Sequence, residues 1–188
     1  MPKQKKPGPY HVPPRAQRHG LVIVNTGNGK GKTTAALGVL LRATGRGMRA
    51  GMFQFVKSLT TGGEHRAATR LGVEIVSLGD GCTLGQPDTA DDAALARAGW
   101  AKVCELIVSG EYDVLILDEL TLPIKWGWID SAEVIATLAS RPIGTHVVIT
   151  GRYASQELID AADLVTEMDV IKHPLREQKV HAQAGVDV

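Results

Sequence analysis

The chain has little cysteine. Its two thiols, Cys82 and Cys104, form neither a disulfide pattern nor a metal-binding one. Histidine is scattered at positions 11, 19, 65, 146, 173 and 181, with no pair at metal-ligand spacing. No apolar run approaches the roughly 18 residues of a membrane-spanning helix. There is no excess of one charge either: the net value is +1 over 188 residues, so bulk charge points to neither nucleic acid nor membrane. No internal repeat is visible, and the length suits one domain with a sizeable core. These absences lead us to expect a soluble, cytoplasmic protein without nucleic-acid or membrane partners.

The charge that is present is unevenly placed. Residues 1–20 carry Lys3, Lys5, Lys6, Arg15 and Arg18, no acid, and five of the nine prolines. The remaining 168 residues hold 16 basic and 20 acidic side chains. We read residues 1–19 as a flexible basic arm and residues 20–188 as the domain. The arm lacks the apolar core of a signal peptide.

The strongest local signal is Thr26-Gly27-Asn28-Gly29-Lys30-Gly31-Lys32-Thr33-Thr34. It follows an apolar run, Leu21 to Val24, that reads as a buried strand, and precedes Ala35 to Arg42, which reads as a helix. Strand, glycine-rich turn, Gly-Lys-Thr and helix form the phosphate-binding loop arrangement. Glycines let successive backbone N–H groups turn inward as an anion nest. The helix start adds unpaired N–H groups and a positive dipole end. Lys32 supplies an ammonium for phosphate, and the Thr33 hydroxyl a ligand for Mg²⁺. Lys30 is a further candidate for phosphate contact. The usual loop has glycine five residues before Gly31. Here that residue is Thr26, and Gly27 stands one position too close.

Along the rest of the chain, strands alternate with helices. Strands are predicted at 50–56, 73–76, 112–119, 146–150 and 164–168. Helices are predicted from Gly62 to Leu71, from Asp88 to Ile107, from Ser131 to Leu138 and from Ser155 to Ala162. The tail from His173 has no clear period. Several strands are continuously apolar, which argues for a parallel sheet covered on both faces. The expected fold is α/β, a three-layer P-loop NTPase of RecA type with about six mostly parallel strands. Ligands in such sheets lie beyond the carboxyl ends of the strands. That edge gathers the loop, Gln54 and Phe55 of strand two, Asp118 and Glu119 at the end of strand four, and Gly151 and Arg152 after strand five. One of the two acids can hold Mg²⁺, and Arg152 can grip phosphate oxygens. Arg42 is a candidate for either ligand contact or a helical salt bridge. Trp100, Trp126 and Trp128 read as core or interface. These residues alone reach a Mg²⁺-dependent nucleotide-binding protein. They leave open a small-molecule kinase, an ATPase switch, or a nucleotidyl- or adenosyltransferase.

From Gly20 onward the chain resembles the corrinoid ATP adenosyltransferases of bacterial cobalamin synthesis and salvage. The resemblance rests on Thr26 to Ala36, Phe53 to Lys57 with Gly63-Glu64, Asp118 to Thr121, Thr150 to Arg152, and Val170 to His173 with Gly185 to Asp187. The short loop is the form this family has. The resemblance implies transfer of the 5′-deoxyadenosyl group of ATP to the Co(I) of a reduced corrinoid, with release of triphosphate. It implies that Gly27, Asn28, Gly29, Lys30, Gly31, Lys32, Thr33 and Thr34 cradle ATP, with Asn28 and Arg42 able to reach the nucleoside. Thr33 and Glu119 would hold Mg²⁺ (or Mn²⁺) with Asp118 near it. Lys32, Thr33, Glu119 and Arg152 are the implied catalytic set. It further implies a homodimer, an arm able to cover a neighbouring active site, and an electron donor for Co(II). The family usually has Gly-Phe-Thr-Trp where this chain has Gly81-Cys82-Thr83-Leu84, so Cys82 and Leu84 are the expected corrinoid contacts. This departure bears on corrinoid handling, not on ATP binding. The alternatives are a P-loop ATPase or phosphotransferase, and a nucleotide-dependent switch acting on another partner.

Overall fold

Among the described residues, short apolar runs rich in Val, Ile and Leu form six strands: β1 (Val22–Thr26), β2 (Ala50–Gln54), β3 (Glu74–Ser77), β4 (Val114–Asp118), β5 (His146–Thr150) and β6 (Leu164–Glu167). The structure, a computed structural model, describes residues 13–14, 17–56, 62–79 and 90–186. The strands form one sheet in the order β3-β2-β4-β5-β1-β6, and every pairing is parallel. β5 therefore lies between the strand that feeds the glycine-rich loop and the strand that ends in acids.

Among the described residues, seven helices accompany the strands: α1 (Lys32–Thr44), α2 (Gly63–Leu71), α3 (Ala90–Ser109), α4 (Thr121–Lys125), α5 (Ser131–Ala139), α6 (Gln156–Ala161) and α7 (Pro174–Gln178). Alternation along each strand divides the apolar side chains between two faces. Phe53, Leu115, Leu117, Val147 and Ile149 pack with Trp100, Val103 and Ile107 of α3, Val134 and Leu138 of α5, and Leu158 of α6. Met52, Val114, Ile116 and Val148 pack on the other face with Ala36, Leu40 and Ala43 of α1. The expected three-layer α/β sandwich is thus present, with all strands parallel rather than most.

The differences from the sequence reading are local. β4 ends at Asp118, one residue earlier than predicted, because Glu119 turns into the left-handed region at φ 59°. Phe55 and Val56 leave β2 but stay buried. Helices α4 and α7 were not expected; each is a single turn of five residues. At the base of the sheet, Arg18 pairs with Asp113 at 3.3 Å and donates to the Pro13 carbonyl at 3.0 Å. The end of the expected arm is therefore tied to the domain; residues 1–12 lie outside the described residues. No helix among the described residues is long and apolar enough to cross a membrane.

Candidate active site

β1 delivers the glycine-rich loop to the carboxyl edge of the sheet, and α1 carries the chain away from it. Gly27 and Gly31 take φ values of 90° and 107°, a region that a side chain disfavours. Lys32 opens α1 and is nearly buried, at 7% exposure. Its ammonium donates to the Gly27 and Gly29 carbonyls, both at 2.7 Å. Burial pulls its pKa below the usual lysine range. Glu119 and Asp118 work against that shift, and Arg152 adds to it. An ammonium has three N–H donors, so one remains for a ligand.

Asp118 is completely buried, and its carboxylate is held from three sides. Thr33 Oγ1 donates to Oδ1 at 2.9 Å, Thr150 Oγ1 donates to the same oxygen at 2.6 Å, and Gln54 Nε2 donates to Oδ2 at 3.1 Å. The strand register brings this about, since Gln54 pairs with Asp118 across β2 and β4. Thr150 also accepts the Glu119 amide at 3.0 Å, so one hydroxyl fixes both acids.

Glu119, in its left-handed turn, projects from the sheet edge beside Gly151. A Cβ on Gly151 would lie 2.0 Å from Thr121 Oγ1 and 3.2 Å from Glu119 Oε2, and its φ is 137°. Only glycine fits there. Thr121 Oγ1 donates to the Arg152 carbonyl at 2.7 Å, which ties α4 to the loop carrying Arg152. Residues 29–34, Glu119 and Arg152 line a single cavity of about 600 Å³. Its other lining comes from Leu37, from Gly63, Glu64 and Ala67 of α2, and from Gly185 and Val186 of the tail.

Comparison with known proteins decides what this cavity belongs to. The family model described as ATP:corrinoid adenosyltransferase BtuR/CobO/CobP matches residues 18–188. A corrinoid adenosyltransferase of Sinorhizobium sp is 40% identical, with all of this chain and 89% of that protein covered. A corrinoid adenosyltransferase of Pseudomonas aeruginosa is 38% identical over 89% of this chain and 83% of its own length. The chain belongs to the ATP:corrinoid adenosyltransferase family. It is accordingly an adenosyltransferase that uses ATP and a corrinoid. Among solved structures, the flagellar accessory protein FlaH of Methanocaldococcus jannaschii shares the fold, with a TM-score of 0.55 at 12% identity over 81% of this chain and 74% of that one.

The cavity of this adenosyltransferase brings together most of the residues singled out from sequence. Gly29, Lys30, Gly31, Lys32, Thr33, Thr34, Glu119 and Arg152 line it. Gly27 lies behind it, touching Lys32 through its carbonyl. Asp118 is enclosed by its hydrogen bonds and does not line the cavity. Asn28 and Arg42 are exposed and absent from the lining; Arg42 sits in the last turn of α1. Cys82 and Leu84 lie outside the described residues. Gln54 and Thr150 were missed as carboxylate partners. Leu37 was missed too, although a position four residues after Thr33 on a helix shares its face. Glu64 and Gly185 stood only within stretches of family resemblance.

Proposed function

We propose that this cavity transfers the 5′-deoxyadenosyl group of ATP to the Co(I) of a reduced corrinoid and releases triphosphate. The cobalt electron pair forms the bond to C5′ of the ribose. The C5′–O bond breaks, and its electron pair leaves with the triphosphate, so the metal of the substrate ends formally as Co(III). Co(I) carries no proton to remove, and no general base is needed. One arrangement supports this reading: Lys32, Arg152 and residues 29–34 of the glycine-rich loop and helix start line the same cavity. Negative charge grows on the leaving oxygen, and fixed donors at that place lower the barrier. A single such donor is worth about 10²–10³ in rate.

The donor set fits Mg²⁺ (or Mn²⁺). Thr33 Oγ1 donates a hydrogen bond to Asp118, which leaves the lone pairs of its hydroxyl oxygen for a hard cation. Thr33 and Glu119 would hold the ion, with Asp118 beside it fixing the Thr33 hydroxyl. When bound, the ion neutralises phosphate charge and orients the triphosphate. We also read the protein as a cytoplasmic homodimer that receives its corrinoid electron from a separate donor.

The test is product identity. ATP, Mg²⁺ and a chemically reduced corrinoid should give triphosphate and a light-sensitive alkylcobalt in equal amounts. ADP and phosphate as the products would refute the reading.

A further inference from the structure

Among the described residues, three that are not glycine take a positive φ: Glu119 at 59°, Tyr153 at 62° and Lys179 at 57°. Two have a local reason. Glu119 lines the cavity from its turn. Lys179 caps the end of α7, a place where a left-handed residue is usual. Tyr153 has neither reason. A bulky side chain is strained at that angle, where glycine is not. Packing does not explain the ring. It is 55% exposed and belongs to neither hydrophobic cluster. Its hydroxyl makes no hydrogen bond among the described residues. Strain of this kind, kept without a structural reason, gathers at ligand sites.

The backbone on both sides of Tyr153 is fixed. The Gly151 amide donates to the Asn25 carbonyl at 3.2 Å, and the Arg152 carbonyl accepts from Thr121 at 2.7 Å. The Ala154 amide donates to Thr26 at 3.3 Å. The ring is therefore mounted rigidly, one residue after the arginine of the cavity. It stands on the α4 side of the sheet, where Leu122 of α4 and Ala154 pack in one cluster. The Lys125 ammonium at the end of α4 lies 5.9 Å from the ring centroid. The apolar cavity wall comes instead from Leu37 of α1 and Ala67 of α2, and α1 packs on the opposite face. Tyr153 thus stands beside the cavity and outside its lining. A ligand that meets it extends past the space that holds phosphates. The corrinoid is that ligand. It is a broad macrocycle with carbon-rich faces and a rim of amide and carboxylate groups. An exposed aromatic ring suits the faces, and a neighbouring ammonium suits the rim.

We propose that Tyr153 is a corrinoid-binding residue, its ring packing against the macrocycle at the edge of the cavity. The inference rests on the reading that ATP fills the cavity and the corrinoid meets it from outside. Adjacent residues then serve the two substrates, Arg152 the triphosphate and Tyr153 the corrinoid.

Anaerobic absorbance titration of the full chain, saturated with MgATP, with the Co(II) form of base-free cobinamide tests this. No transfer occurs without a reductant, so the titration reads binding alone. Tyr153→Gly should weaken corrinoid binding about 10-fold or more, as for a truncated aromatic anchor. Its MgATP affinity, read by calorimetry, should be unchanged. Its melting temperature should not fall, because glycine accepts this φ without strain. Tyr153→Phe, which keeps the ring, should bind the corrinoid as the parent does. A glycine variant with the parent's corrinoid affinity overturns the proposal. So does one that loses MgATP affinity as well, since Tyr153 would then only hold Arg152 in place. A phenylalanine variant as weak as the glycine one overturns packing by the ring. The expected binding pattern in a chain that, once the corrinoid is reduced, makes no alkylcobalt overturns the transfer reaction and keeps the Tyr153 assignment.

Discussion

Thr150→Val removes one hydroxyl and keeps the side-chain shape. The hydroxyl is fully buried and makes two bonds: it donates to Asp118 Oδ1 at 2.6 Å and accepts the Glu119 amide at 3.0 Å. A neutral hydrogen bond contributes about 1 kcal/mol and one to a charged group about 1.5–3 kcal/mol. Valine should therefore destabilise the fold by about 3 kcal/mol. In a domain of this size each kcal/mol moves the melting temperature by about 2–4 °C, so a fall of roughly 6–12 °C is expected. The loss should also reach function, because the freed amide belongs to Glu119, held at φ 59° on the cavity wall. Mg²⁺ half-saturation should rise in the variant, and Thr150→Ser should restore both properties. Thermal unfolding by circular dichroism and Mg²⁺ titration of activity are the assays. A valine variant within about 0.5 kcal/mol of the parent, the range of a surface change, would show that the hydroxyl does not hold the two acids.

Three further outcomes are expected. Lys32→Ala should cut turnover by about 10²-fold or more with the fold intact, as for any fixed charge at a leaving group; steady-state rates within a few fold of the parent would remove Lys32 from catalysis. Thr33→Ala and Glu119→Ala should each raise the Mg²⁺ needed for half-maximal activity, and an unchanged titration for both would move the metal elsewhere, with Asp118 next in line. Burial, with Arg18 and Arg141 nearby, lowers the pKa of His146, whose Nδ1 accepts the Leu21 amide at 3.1 Å. A base with a lowered folded pKa is protonated more readily when unfolded, so its stability contribution is whole above about pH 6.5 and shrinks as the pH falls below it; denaturant midpoints at pH 7.5 and 5.5 should differ less in His146→Gln than in the parent, and an equal difference would refute the assignment.

Much of this architecture is legible in residues because it depends on local rules. Val114 to Leu117 is apolar throughout, and a strand buried on both faces needs that. Gly31-Lys32-Thr33 marks a helix start, and the structure begins α1 at Lys32. The parts that escaped are set by tertiary contact. Pro174 at the first turn of α7, with His173 Nδ1 accepting the Leu175 amide at 3.2 Å, makes a short helix in a stretch with no apolar period. Gln54 reads as a strand residue at the ligand edge, and only the register shows it opposite Asp118. No spacing rule places Glu64, Val186 and Lys32 in one cavity, because their adjacency is made by the crossover to α2 and by the returning tail.

The unusual loop has a reason that reaches across the sheet. Thr26, at the position where the common loop has glycine, is the last residue of β1 and pairs with Glu167 of β6. Its hydroxyl accepts the Ala154 amide at 3.3 Å, a bond glycine could not make. The turn therefore starts one residue later and is pressed against the exit of β6. A Cβ on Gly27 would lie 2.4 Å from the Met168 carbonyl oxygen, and one on Gly29 would lie 2.6 Å from that of Asp169. The Gly29 amide donates to Met168 at 2.6 Å, so this N–H is spent on the fold and not on phosphate. A smaller loop with one amide committed offers less of a nest. On the proposed reading, Lys32, clamped across it by two carbonyls, and Arg152, two residues after β5, would then supply more of the positive charge. On that reading the short loop would shift anion binding from backbone to side chains, where fixed donors can act on a leaving triphosphate.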